Sequence, residues 1–161
     1  MPLLPKADVV ITGYSTCDQP VLMRYDATLI AHTPEPRLEA GVPVCYLNER
    51  GDTIVPYGRY KFCQTDTIKG IGFVYEDKPR DARIVCINDA GKKLFYVVEC
   101  DNGPDYVKEG LFRIMDEKGL MGFADSSGHI IITPQFKFAY PFEGGKAKVT
   151  FTGKQKCRIR V

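Results

Sequence analysis

The most constraining feature of this sequence is a short turn motif that returns at nearly regular intervals. Asn or Asp stands three residues before glycine in 48–51, 88–91 and 125–128, and these glycines are 40 and 37 residues apart. An Asn or Asp side chain that opens a type I turn accepts hydrogen bonds from the backbone that follows it. Glycine in fourth place takes the left-handed conformation that closes a three-residue β-hairpin. Residues 116–119 form a fourth copy, so the sequence predicts repeated hairpins.

The flanks of the three aligned turns read as strands. The runs CYLN, VCIN and GFAD precede the turns, and DTIVPY, KKLFYV and HIIITP follow them. β-Branched and aromatic residues bounded by turn residues are typical of short strands. A second glycine follows 19 residues later at Gly70 and Gly110, with Gly144 or Gly145 as the third counterpart, and each precedes another apolar run. Each unit is therefore predicted to contain a hairpin, a looser link and one further strand.

This pattern divides the chain into an N-terminal segment and three units. The units span residues 44–83, 84–121 and 122–157, and a basic tail follows at 158–161. Residues 1–43 do not align with the units, and we interpret them as strands or a cap followed by a proline-rich connector over 33–43. No segment shows a sustained helical period. The predicted fold class is all-β, an antiparallel β-hairpin repeat array with a non-matching N-terminal β segment.

The size of each unit requires that neighbouring units pack together. A single hairpin is marginal in water, so adjacent units must share a sheet or a core. We expect the shared interior to include six apolar side chains: Ile84, Leu94, Leu111, Ile114, Ile131 and Phe142.

Composition and charge exclude some classes of protein. The chain has 161 residues, which fits one domain, and no apolar run reaches the roughly 18 residues of a membrane helix. The N-terminus does not read as a secretory signal, so we expect a cytoplasmic protein unless a leader has been removed, in which case it is exported. Residues 144–161 carry six Lys or Arg and no acid. This basic end fits either an anionic partner or, more simply, a solvated edge strand.

The six cysteines, at positions 17, 45, 63, 86, 100 and 157, form no pair with zinc-site spacing. Cys45, Cys63, Cys86 and Cys100 lie in strand-like apolar runs, where a free thiol packs as a small hydrophobe. We therefore predict buried thiols, while disulfides stay possible in an oxidising compartment. A catalytic pair of a cysteine with His32 or His129 is a further reading that spacing alone leaves open.

The residues from Glu109 to Val149 resemble the WG-repeat, or KWG, family. Residues 119–125, GLMGFAD, correspond to the motif Gly-Lys-Trp-Gly-Tyr-Ile-Asp of that family, and residues 132–136 and 141–147 to its Ile-Pro-Pro-Gln-Tyr-like strand and its Pro-Phe-x-x-Gly-x-Ala end. Residues 44–108 match more loosely and 1–43 do not match. Met121 stands at the position of the family tryptophan, and the chain has no tryptophan. The resemblance implies a β-rich bacterial repeat protein, often exported, that acts by binding, and it carries over no catalytic residue.

These observations favour a non-catalytic module that binds an unidentified protein or small ligand. They nominate no catalytic, cofactor-binding or metal-binding residue, and the nine tyrosines and nine phenylalanines fit cross-strand packing better than base stacking. Two alternatives remain. The first is a hydrolase that uses the acidic residues of the 99–109 loop, namely Glu99, Asp101, Asp105 and Glu109. The second is a module that binds nucleic acid or an anionic surface through the basic C-terminus.

Overall fold

The computed structural model describes residues 27–77 and 83–152, together with the backbone of residues 9–11. Every regular element in these residues is a β-strand, and the strands pair antiparallel, as the sequence predicts.

The N-terminal segment contributes β1 (Val9–Ile11) and β2 (Thr28–His32). Unit 1 contributes β3 (Cys45–Leu47), β4 (Thr53–Val55), β5 (Phe62–Cys63), β6 (Thr67–Lys69) and β7 (Ile71–Glu76). Unit 2 contributes β8 (Arg83–Asn88), β9 (Lys93–Val97), β10 (Glu99–Cys100), β11 (Gly103–Pro104) and β12 (Leu111–Met115). Unit 3 contributes β13 (Met121–Asp125), β14 (Ile130–Phe136), β15 (Phe138–Ala139) and β16 (Ala147–Thr150).

The four predicted turns share one hydrogen-bond pattern. At Asn88, the side-chain Oδ1 accepts the N–H groups of Ala90 at 3.0 Å and Lys92 at 2.9 Å, and Gly91 N–H donates to the Asn88 carbonyl at 2.9 Å. Gly91 has a φ of 76°, in the left-handed region. The same bonds are formed at the turns that open with Asn48, Asp116 and Asp125. The turn chemistry predicted from the sequence is confirmed.

Successive units are joined by one kind of strand pairing. The last long strand of a unit pairs with the first strand of the next, as β7 does with β8 and β12 with β13. These pairs lie in a sheet of order β14-β13-β12-β9-β8-β7-β6-β2-β3-β4, with β5 on β7. A second sheet has the order β1-β16-β15, and β10 pairs with β11. The units therefore depend on one another for their backbone hydrogen bonds.

The turns also pack onto the preceding units. A Cβ placed on Gly91 would lie 2.9 Å from Cγ2 of Ile54, and one on Gly128 would lie 3.1 Å from Cδ1 of Leu94. Ile54 and Leu94 hold the same place, three residues after the turn glycine of their own unit. The stacking contact is thus repeated from unit 1 to unit 2 and from unit 2 to unit 3.

The interior consists of three apolar clusters, and each draws side chains from two neighbouring units. Of the predicted interior residues, four are buried: Ile84, Leu111, Ile114 and Phe142. The prediction is only partly right for Leu94 and Ile131, which are half-buried and pack against the outside of a cluster. Leu94 lies there because it supports the Gly128 turn of the next unit.

The four cysteines among the described residues are free and buried, as predicted, and Cys17 and Cys157 lie outside those residues. His32 lies opposite Cys45 in the β2–β3 pair, but its Nδ1 is 2.9 Å from the hydroxyl of Tyr57. The Cys45 side chain is closed off from solvent. Because it is buried, the Cys45 thiol is poorly accessible to a substrate that it could attack as a nucleophile.

We expect the fold to lose stability at alkaline pH because burial raises the pKa of the Cys86 thiol from 9.0 to about 12. The folded state favours the neutral thiol. The contribution of this thiol to the free energy of unfolding is therefore complete below pH ~9 and declines as the pH rises towards ~12. The free energy of unfolding, measured in urea at several pH values, should fall more steeply for the native chain than for Cys86→Ala. Equal slopes would contradict this assignment.

Candidate functional site

The chain that links the second long strand of a unit to its last strand is longer in unit 2, between β9 and β12, than in unit 3, between β14 and β16. Val98 N–H donates to the Arg113 carbonyl, and Tyr140 N–H donates to the Lys148 carbonyl in the same way. Arg113 and Lys148 each stand three residues after a turn glycine, so Val98 and Tyr140 are equivalent. Unit 2 then places residues 99–107 where unit 3 has only 141–142 before the next turn. We call residues 99–107 the insertion hairpin, since it contains the β10–β11 pair.

The insertion hairpin is closed by a tight turn and a backbone bond. Asp101 and Asn102 have φ values of 53° and 62°, which place both in the left-handed region. Two consecutive residues of this kind form the type I′ turn that matches the twist of a hairpin. Asp105 N–H donates to the Val98 carbonyl at 2.9 Å and brings the chain back to its starting point. The insertion is consequently an ordered structure of its own.

A buried ion pair anchors the insertion hairpin to the sheet. Arg113 on β12 donates from Nε to Asp105 Oδ2 at 2.9 Å and from Nη2 to Asp105 Oδ1 at 2.7 Å. The side chains are only 1% and 2% exposed, respectively. Asp105 Oδ2 also accepts the backbone N–H of Arg113 at 2.8 Å. A bidentate, charge-assisted pair of this geometry offsets much of the cost of burying two charges.

The same guanidinium reaches unit 3. Arg113 Nη1 donates to the carbonyl of Ala139 on β15 at 3.1 Å, and Nη2 lies 4.0 Å from the Cys100 sulfur. Arg113 thus holds the insertion hairpin, its own strand and the neighbouring unit in one arrangement. The hairpin is fixed to two units rather than to one.

The insertion hairpin presents an aromatic and an aliphatic side chain to solvent. Tyr106 and Val107 are each 52% exposed, next to the buried Asp105. The Tyr106 hydroxyl donates to Asp101 Oδ2 at 3.3 Å, and the negative charge of Asp101 raises the pKa of Tyr106. Tyr140, which follows the Ala139 acceptor, is also exposed and packs edge-on against Phe138. An exposed tyrosine thus follows each of two residues that accept hydrogen bonds from Arg113, namely Asp105 in unit 2 and Ala139 in unit 3.

The four acids of the 99–109 loop have separate roles in the structure. Asp105 is bound to Arg113, and Asp101 accepts the Tyr106 hydroxyl. Both carboxylate oxygens of Glu109 accept the N–H of Gly145, which joins the turns of units 2 and 3. Glu99 is exposed on β10. Within the described ranges, no three His, Cys, Asp or Glu side chains come together in a way that could hold a metal ion.

A separate cleft of about 460 Å³ lies beside unit 1. It is lined by residues 41–43 of the connector, residues 58–61 and the acids Glu76 and Asp77. Lys61 Nζ and Asp77 Oδ1 are 3.6 Å apart, and both side chains are largely in water. The charges of this cleft are balanced, so it favours no particular charge of ligand.

The part of the chain that the structure describes contains no helix suited to crossing a bilayer.

The fold and the repeated turns define an all-β repeat protein built from antiparallel hairpins. Residues 121–154 match the family described as WG containing repeat, so the chain contains a WG repeat. Neither the curated proteins nor the solved structures include a match to the chain.

The structure shows what the two residues of the WG motif do here. Met121, at the tryptophan position, is 7% exposed and packs in the cluster of unit 3 with Phe123, Phe136 and Phe142. In this chain the position fills apolar volume, which methionine does without an indole N–H. At Gly122, a Cβ would lie 2.3 Å from the carbonyl oxygen of Ile132 on the paired strand. Glycine is needed there because the two backbones approach so closely.

The four acids of the 99–109 loop were recognisable in the sequence as one group, but the importance of Arg113 was not. The signal available was the charged residue inside the apolar run LFRIM, since a charge at a buried strand position needs a partner. The basic tail at 158–161, and Lys154 and Lys156 before it, lie outside the described residues.

Proposed function

We propose that this protein is a non-catalytic module that binds a partner protein through the insertion hairpin. The observation that carries the proposal is the combination of exposed Tyr106 and Val107 with the buried anchor Asp105, the residue next to Tyr106 in the chain. Insertions in repeat proteins map to one face of the array, and that face is often the binding face. The proposal draws its support from this geometry and from the family resemblance, which also suggests a bacterial source.

Pre-organisation gives the hairpin a physical advantage in binding. Ordering a mobile loop reduces affinity, and a loop that is already held in place avoids that cost. Tyrosine provides a large, amphipathic contact with few rotatable bonds, and it is enriched among residues that dominate interface energies. Tyr106 is already oriented by its bond to Asp101.

The hydrolase alternative receives less support from the geometry. Asp105, the most deeply buried acid of the loop, is occupied by Arg113 on both of its oxygens. Glu109 and Asp101 are likewise bound to neighbouring groups. The alternative of an anionic partner depends on residues 154–161, and salt-sensitive retention on an anionic resin that disappears when those residues are removed would favour it.

The test uses a photo-cross-linking amino acid in place of Tyr106, with the same substitution at Tyr57 as a control. Tyr57 is a matched residue because it is similarly exposed and also hydrogen-bonded through its hydroxyl, to His32, on a different unit. A protein cross-linked in the source cells only from position 106 is then purified and titrated. Tyr106→Ala should weaken its binding by roughly 30-fold, the effect of a residue worth ~2 kcal/mol.

The Tyr57→Ala variant should bind the same partner as tightly as the native chain. The proposal fails if position 106 yields no partner of its own, or if Tyr106→Ala leaves the affinity of that partner unchanged.

A further inference from the structure

The last unit ends in a strand whose partner comes from the other end of the chain. In the two internal junctions, the last strand of one unit pairs with the first strand of the next. Strand β16 is the last strand of unit 3, and its partner is β1 of the N-terminal segment. Residues 1–43 do not align with the three units, so the pairing requires an explanation.

The register of the β1–β16 pair is that of the internal junctions. Val74, Ile114 and Val149 each stand four residues after a turn glycine. They face Val85, Gly122 and Val9, respectively, in antiparallel pairs. Val9 therefore occupies the place that Val85 takes in unit 2 and Gly122 takes in unit 3. Strand β1 stands where the first strand of a following unit would pair.

The burial of unit 3 agrees with this equivalence. Val74 and Ile114 are 0% exposed, and Val149, in the last unit, is 1% exposed. An open array needs a polar cap at its end, because the last repeat lacks a neighbour. Here the last strand of unit 3 is as closely covered as the last strands of the internal units.

The other end of the N-terminal segment is bound to unit 1. Strand β2 pairs antiparallel with β3, the first strand of that unit, through Ile30 and Leu47, Ala31 and Tyr46, and His32 and Cys45. It also pairs with β6. The two described strands of the N-terminal segment thus pair with the last unit and the first unit, respectively.

We infer that β1 and β2 act as the two ends of a clasp that closes the repeat array upon itself, with β1 standing in for the first strand of a fourth unit. The clasp makes units 1 and 3 interdependent although they are distant in sequence. While it is closed, the edge of β16 is occupied and a further repeat cannot pair there.

The inference is tested with a cross-strand disulfide. Val10 and Lys148 face each other in the register, and both are replaced by cysteine in a chain that also carries Cys17→Ser and Cys157→Ser. Cα atoms of paired strand residues lie within the ~4.4 to 6.8 Å that a disulfide requires. Under mild oxidation, the double variant should form a bond within one chain, seen as faster migration of the monomer on a non-reducing gel.

The matched control combines Val10→Cys with Thr150→Cys, two residues along the same strand. This displacement adds ~6.6 Å along the strand and separates the Cα atoms by more than ~7 Å, so little cross-linking is expected. Disulfide-linked dimers of the Val10–Lys148 variant would overturn the inference, because β1 would then belong to a second copy. Equal cross-linking in both variants, or none in either, would also overturn it.

A second measurement does not depend on engineered cysteines. Deletion of residues 1–11 should increase amide hydrogen exchange in residues 147–150 much more than in residues 84–88, which pair at an internal junction. Unchanged exchange in residues 147–150 would contradict the clasp.

Discussion

Replacement of Asp105 by alanine is expected to lower the free energy of unfolding by about 3–5 kcal/mol. The substitution leaves the Arg113 guanidinium buried without its counter-charge, and it removes the acceptor of three hydrogen bonds. A buried charge that loses its partner costs far more than the net contribution of the intact pair. Urea denaturation followed by circular dichroism measures the change.

Two controls distinguish the loss of stability caused by breaking the ion pair from that caused by any substitution in the hairpin. Glu99→Ala removes an exposed carboxylate from β10 of the same hairpin, outside the tight turn, and should change stability by no more than about 0.5 kcal/mol. The double variant Asp105→Leu with Arg113→Met removes both charges and should recover much of the loss, as apolar replacements of buried pairs do. If Asp105→Ala were as mild as Glu99→Ala, the ion pair would not anchor the hairpin.

Gly122→Ala is the second change expected to have a large effect, a loss of at least about 2 kcal/mol. The added Cβ would lie 2.3 Å from the Ile132 carbonyl oxygen and 2.6 Å from the Pro134 nitrogen. Both atoms belong to the backbone of β14, so no side chain can turn aside and the two strands must separate. The midpoint of thermal unfolding, compared with that of the native chain, shows the effect.

Gly103→Ala is the matched control for this change. Gly103 also lies in a strand, but nothing stands within 4 Å of its added Cβ, and its φ is outside the left-handed region. This variant should retain native stability or gain slightly, since alanine loses less conformational entropy than glycine on folding. Equal behaviour of the two variants would show that close approach of the strands is not the reason for glycine at position 122.

The local chemistry of the turns could be read from the sequence in detail. Asn48, Asn88, Asp116 and Asp125 each accept the two backbone N–H groups that their side chains can reach, and the glycines that follow have positive φ. These contacts span four residues, so neighbouring residues decide them. The all-β class and the antiparallel pairing followed from the same units.

The candidate site was harder to predict because its parts are distant in the chain. The sequence indicated the acids of the 99–109 loop as one group, which the hydrolase alternative would use. Whether a carboxylate is free or paired depends on the side chain that folding places beside it, and Asp105 meets Arg113 only when the hairpin folds back onto β12. The exposure of Tyr106 likewise depends on which face of the hairpin points outward.

By itself, the sequence determined the hairpin turns, the strands beside them and the need for units to share an interior, since these follow from backbone conformation and apolar pattern over short distances. Only the tertiary structure decided that β1 pairs with β16, that Arg113 joins Asp105 to Ala139, and that Leu94 supports a turn rather than filling the core. The physical reason is that such contacts join residues whose separation in sequence carries no local signal. They form only where the folded chain brings compatible strand edges, charges and volumes together.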